Sequence, residues 1–287
     1  MATEAWSRGH LNPGADARVS RLAPPPNVAD AVVHFWIPEW DLPPGQISRQ
    51  LVLSYPAINL VLRPDSPEGD VTLHGPRTGV SYRDLSGRGW AVGALLKPRA
   101  VAAVLAATCP PITNVRVLVD SWVSLEAPRL MSDVASRMDG TGSRRMAESI
   151  DLVAAWLCER LEASGSRDRD ARLAGALLEF LDALPLQARE QHNAEPPRHV
   201  AEVARQLGTS TRTLERVALT YTGFTPAALI RRRRLQDAAD RLRRDPSIDL
   251  TRLAIEVGYA DHAHLTRDFH HVLGFTPSVY RGDKSGS

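Results

Sequence analysis

The tetrapeptide Gly-Phe-Thr-Pro occurs twice in this chain, at Gly223–Pro226 and again at Gly274–Pro277, and the residues around it repeat as well. Val200, Val203, Ala204 and Gly208 recur as Leu250, Leu253, Ala254 and Gly258 at an offset of 50. Leu214 and Arg216 recur as Leu265 and Arg267 at an offset of 51, so the second copy carries one extra residue between its glycine and its next leucine. A repeat of this length marks a duplicated supersecondary unit, and two copies are too few for a solenoid.

Each copy spells the same local structure. Val200, Val203, Ala204 and Leu207 fall on one face of a short helix. Gly208 can take positive φ and turn the chain. Ser210 or Thr211 can cap a second helix, with Leu214 and Val217 facing inward and Arg212, Glu215 and Arg216 outward. Gly223 stops that helix, and Thr225 caps a third with Pro226 in its first turn. In the second copy Leu250, Leu253, Ala254 and Val257 make the inner stripe. Gly258 makes the turn, Asp261 caps, and Leu265 and Phe269 point inward. Two helices joined by a short glycine turn form a helix-turn-helix, whose second helix can enter a major groove. An ordinary packing hairpin is the plainer alternative, and matched outward arginines in two copies weigh against it. Pro226–Arg244 runs between the copies without an internal Gly or Pro, giving 19 positions of helix. At ~1.5 Å per residue these span ~28 Å, against ~34 Å for a turn of B-DNA.

The stretch from Arg198 to Arg281, and Gly258–Arg281 ("GYADHAHLTRDF…GFTPSVYR") above all, resembles the DNA-binding domain of AraC/XylS-type transcription regulators. The family's first helix would fall on Asp170–Leu184. The resemblance implies base-reading positions at Arg212, Glu215 and Arg216 in the first unit, and at His262, Ala263, Thr266 and Arg267 in the second. Arg232 and Arg233 on the connecting helix are expected to meet phosphates. One departure stands out: the second copy keeps Phe269 two residues after its outward arginine, whereas the first has Ala218, a gap that Tyr221 is placed to fill.

Net charge is only +2, but it is unevenly spread: residues 196–287 hold 15 Lys+Arg against 10 Asp+Glu, while the remainder holds 20 against 23. The basic block suits phosphate contact. The 287 residues suffice for two cores. The expected organisation is α+β. Residues 1–145 form a small β-barrel, cupin-like sensor domain with helices, and 146–169 a helical linker for dimerisation. Residues 170–287 form an all-α domain with two helix-turn-helix units on a long helix. The cupin-like sensor and dimer parts follow the resemblance. Ala31–Trp40, Gln50–Arg63, Asp70–Leu73 and Gly89–Leu96 read as strands of a small antiparallel barrel or sandwich, Pro98–Ala107 and Ala147–Leu161 as helices. The stripe Ile150, Val153, Ala154, Leu157 and Leu161 is the expected dimer contact.

All six tryptophans precede residue 160, and Trp36, Tyr55, Tyr82 and Trp90 are candidates to line an effector pocket. His34, His74, Glu39 and Asp41 lack the His-x-His clustering of a metal cupin, so neither metal nor cofactor is expected. No membrane-length apolar run or signal peptide is legible, which points to a cytoplasmic, nucleoid-associated protein without membrane contact. Its expected partners are double-stranded DNA, a small-molecule effector or protein partner, a second copy of itself and, as a further candidate, RNA polymerase. Two rivals to a regulator remain. One is a repair-type enzyme using this domain for targeting, which needs an activated cysteine; Cys109 in "AATCPPI" has no charged neighbour in sequence. The other is an interaction protein that no longer binds DNA, against which the outward arginines count.

Overall fold

The computed structural model describes residues 10–12, 17–53, 57–64, 70–76, 80–105, 116–119, 126–142, 144–164, 169–183 and 199–282. A strand-rich N-terminal region precedes a helical C-terminal one. The strands are β1 (His10–Asn12), β2 (Ala17–Leu22), β3 (Val32–Asp41), β4 (Ile47–Leu53), β5 (Ile58–Leu62), β6 (Val71–His74), β7 (Val80–Ser86), β8 (Arg88–Trp90), β9 (Val92–Leu96) and β10 (Arg116–Leu118). The helices are α1 (Pro98–Leu105), α2 (Glu126–Met138), α3 (Arg145–Ser164), α4 (Arg169–Ala183), α5 (Val200–Gln206), α6 (Thr211–Thr222), α7 (Pro226–Arg244), α8 (Leu250–Glu256), α9 (His262–Leu273) and α10 (Pro277–Gly282).

The expected barrel does not close among the described residues. Instead there is a seven-stranded antiparallel sheet, β10-β6-β5-β9-β3-β2 with β8 also on β3, and a three-stranded sheet, β1-β4-β7. The chain leaves β3 through a turn at Pro43–Gly45, with Gly45 at positive φ, and β4 pairs with β7 rather than rejoining the large sheet. Among the described residues both sheets therefore keep open edges.

Strand alternation sorts the large sheet into two unlike faces. Phe35, Ile37, Leu60, Leu73 and Ala94 lie in the main core with α1, α2 and α3. The stripe Ile150, Val153, Ala154, Leu157 and Leu161 of α3 is buried in that same core. The expected dimer contact is thus spent inside the chain, because α3 has the sheet and α2 to pack against.

In the helical region α4 lays Leu177, Leu178 and Leu181 on α5, α6 and the start of α7. A second core joins α8, α9 and α10 to the rest of α7 through Leu235, Ala238, Leu242, Phe269, Leu273 and Tyr280. Helix α7 is flanked on both sides, which decides the fate of its arginines. Among the described residues no helix is long and apolar enough to cross a membrane.

Candidate nucleic-acid interface

The two helix pairs share their punctuation. Gly208 (φ 62°) and Gly258 (φ 86°) occupy the left-handed region at the turns, where a side chain would be strained. Ser210 Oγ accepts from the amide of Thr213, and Asp261 Oδ1 from that of His264, so α6 and α9 each begin on a satisfied cap. The capping Asp261 also puts negative charge at the positive end of α9.

On α6, Leu214, Val217 and Ala218 are buried, while Arg212, Glu215 and Arg216 are exposed. On α9, Leu265 and Phe269 are buried, His262, Ala263 and Arg267 are exposed, and Thr266 is half-buried. Both outward faces present hydrogen-bonding side chains near the helix N-terminus, the end that enters a groove in helix-turn-helix docking. The two arginines differ in their surroundings. Arg216 donates to Asp170 Oδ2 of α4 at 2.7 Å. Arg267 forms no ion pair among the described residues and lies 3.4 Å from the Ala263 carbonyl on its own helix.

Of the run Arg231–Arg234, only Arg231 is exposed. Arg232 and Arg233 are 3% and 4% exposed and do not face solvent, correcting the expectation that they meet phosphates. Arg232 lies over the Phe224 ring, 5.5 Å from its centroid, and burial pulls its pKa down to about 10. Arg233 Nε donates to the Leu181 carbonyl at 2.8 Å and its guanidinium pairs with Asp237 at 2.7 Å. Leu181 sits in the last turn of α4, so Arg233 satisfies a helix-end carbonyl and helps lock α4 to α7. The helices packed on two sides of α7 leave only Arg231 of this run exposed.

Sequence reasoning also missed a polar hub under α9. Asp268 lies 3.4 Å from Arg231 and 3.8 Å from His264. Tyr259 packs edge-on against His264, and its phenol pKa is raised by burial and then by the charge of Asp268. The repeat alignment could have flagged this position, since Asp268 stands where the first copy has Val217.

The expected aromatic pocket is not assembled. Trp36 is half-buried on the face of the large sheet away from the main core. Trp90 stands on the opposite face of the large sheet, in the main core, with its indole N–H on Asp139 Oδ1 at 3.0 Å. Tyr82 is 56% exposed on the outer face of the small sheet, and Tyr55 lies outside the described residues. Cys109 also lies outside them. Cys158 is half-buried on α3, its thiol pKa raised first by desolvation and then by Glu162, the reverse of what a nucleophile needs. Among the described residues no three His, Cys, Asp or Glu side chains gather to hold a metal.

Residues 203–283 match the family model described as a helix-turn-helix domain. Residues 20–118 match one described as a domain of unknown function, DUF6597. No curated protein matches the chain. Solved structures that align with it include ToxT from Vibrio cholerae O395, at 12% identity and TM-score 0.38, covering 94% of this chain and 98% of that one. The unsaturated fatty acid-bound wild-type ToxT from Vibrio cholerae strain SCE256 aligns at 10% identity and TM-score 0.35, covering 93% and 95%.

Proposed function

We propose that this chain, an AraC-family regulator by its C-terminal helix-turn-helix domain, binds double-stranded DNA in a sequence-specific manner and controls transcription. In this reading α5–α6 and α8–α9 are two reading units, and the β-rich half senses a small effector or a partner. The observation that carries it is the pairing of two capped helices with matched outward arginines, Arg216 and Arg267, at the two ends of a 19-residue helix. That helix spans ~28 Å, close enough to one turn of duplex for the two units to enter successive major grooves on one side.

Arg212, Glu215 and Arg216 read one half of the operator, and His262, Ala263, Thr266 and Arg267 the other. Arg231 and the cap-side face of α9 take the phosphate role that Arg232 and Arg233 cannot. A homodimer would need a surface other than the buried α3 stripe. RNA polymerase contact and work at the chromosome follow from the regulator role.

The test is a fragment of residues 169–283 titrated with duplex DNA across a salt series. It is expected to fold with α4 in place and to bind with log K falling linearly in log salt, through counterion release. A folded fragment with no salt-dependent DNA binding contradicts the proposal.

A further inference from the structure

The outward face of α6 extends one turn beyond Arg212, Glu215 and Arg216. Leu219 follows them at i, i+3, i+4 and i+7, and all four side chains are exposed, so they form a single stripe along the helix. The base-reading positions on the recognition helix of homeodomains have this same spacing. The stripe ends at Leu219, because its next position would be Gly223, which has no side chain. Gly223 closes the helix in the left-handed region, its N–H donating to the Leu219 carbonyl at 3.1 Å. From Arg212 to Leu219 the stripe runs ~10 Å at ~1.5 Å per residue, the length of about three base pairs at ~3.4 Å each.

Leu219 is the odd member of this stripe. It leaves 47% of its surface in solvent and belongs to none of the buried clusters among the described residues. A lone surface leucine is ordinary, but this one stands in line with two arginines and a glutamate on the face that enters a groove. The repeated fold does not demand it there. The matched stripe on α9 is Ala263, Thr266, Arg267 and His270, all at an offset of 51, and His270, also exposed, takes the place of Leu219. Nor does the stripe suit the DNA backbone. A glutamate repels phosphates and a leucine offers them nothing, so two of its four side chains have partners only among base edges. In the major groove cytosine presents an amino donor that a carboxylate accepts, and thymine presents a C5-methyl group that an apolar side chain covers.

We propose that Leu219 is a fourth reading position of α6 and recognises a thymine through its C5-methyl group. The proposal rests on the regulator reading above and gives the first half-site its base chemistry: guanine for the arginines, cytosine for Glu215 and thymine at the C-terminal end of the stripe. Leu219 lies three residues beyond Arg216, ~4.5 Å along the helix, so its thymine falls about one or two base pairs from the base that Arg216 takes. Leucine has no hydrogen-bonding group in its side chain, and the methyl alone carries its discrimination.

Binding-site selection with the full chain supplies the duplex, and each of its thymines is then replaced singly by deoxyuridine, which keeps the hydrogen-bonding groups of thymine and lacks only the methyl. Affinities are measured at one salt concentration for the parent protein, Leu219→Ala and Leu219→Met. At one thymine, replacement is expected to weaken the parent protein about fourfold, the weight of one buried methyl group. Leu219→Ala is expected to bind the thymine and deoxyuridine duplexes alike, so that the two losses are not additive. Its Tm without DNA is expected to stay almost unchanged, since the side chain is exposed. Leu219→Met, close to leucine in volume, is expected to keep part of the preference. Thymines in the half-site read by α9 are expected to respond alike in all three proteins. No thymine whose methyl matters to the parent protein, or a methyl effect that survives in Leu219→Ala at every such thymine, overturns the proposal and leaves the regulator reading standing. Selection of no sequence, together with no salt-dependent binding of duplex DNA, defeats the regulator reading itself.

Discussion

The first helix pair and the second follow one grammar but are held together in different ways. The second is self-sufficient: Phe269, Phe275 and Tyr280 pack on one another, with the Phe275 and Tyr280 rings stacked 5.5 Å apart. It is further tied to α7 by Arg231–Asp268 and Arg241–Glu256, and Arg281 donates to the Ile248 carbonyl ahead of α8. The first has Ala218 where the second has Phe269, and Tyr221, placed by sequence to fill the gap, is only half-buried and outside the cluster. The missing volume is supplied by Phe224 and by Leu177, Leu178 and Leu181 from α4. That borrowed wall leads back to the β-rich half: α1 packs on α4 and α6, and Lys97 pairs with Glu179 at 3.0 Å. The first unit, with Ala218 in place of an aromatic, is completed by α4, which also packs on α1.

The comparison breaks most visibly if the two cores are deleted in turn. Phe269→Ala is expected to cost ~3–5 kcal/mol, because the ring is fully buried among other aromatics that cannot collapse around the void. Hydrogen exchange should then speed up in α8, α9 and α10 while α6 keeps its protection. Leu177→Ala is expected to cost ~2–4 kcal/mol and to loosen α4 and α6 together, leaving α9 protected. Loosening of both pairs by either change would mean that α7 welds them into one cooperative unit.

Much of this helical arrangement was legible. Capping residues and glycines sit where unsatisfied helix ends need them, so Pro226–Arg244 could be bounded at both ends before any coordinates. What failed was information that sequence spacing does not carry. Arg232 and Arg233 read as phosphate contacts, because nothing local reveals that α7 is flanked on both sides. Trp36 and Trp90 looked like pocket partners, yet β3 and β8 pair Glu39 with Trp90, which puts the two indoles on opposite faces; only register decides that. Helix α2 went unread although Leu130, Met131, Val134 and Met138 are buried at helical spacing.

A smaller effect sharpens the contrast between the reading arginines. Asp170 holds Arg216 on the first pair, and among the described residues no equivalent carboxylate holds Arg267. The contact is partly exposed and worth at most ~1 kcal/mol. Asp170→Ala is therefore expected to tighten binding of duplex DNA by up to about fivefold at low salt, with fold stability almost unchanged. Weaker binding would instead show that Asp170 orients Arg216 for the groove.

The most direct measurement is binding-site selection from a random duplex pool by the full chain and by Arg216→Ala and Arg267→Ala. An arginine forked onto guanine contributes ~1–3 kcal/mol of discrimination at its base. Each variant is expected to lose preference at one position, the two positions lying about one helical turn apart, with the rest of the selected sequence retained. Identical selected sequences from all three proteins would contradict the assignment of α6 and α9 as the reading helices.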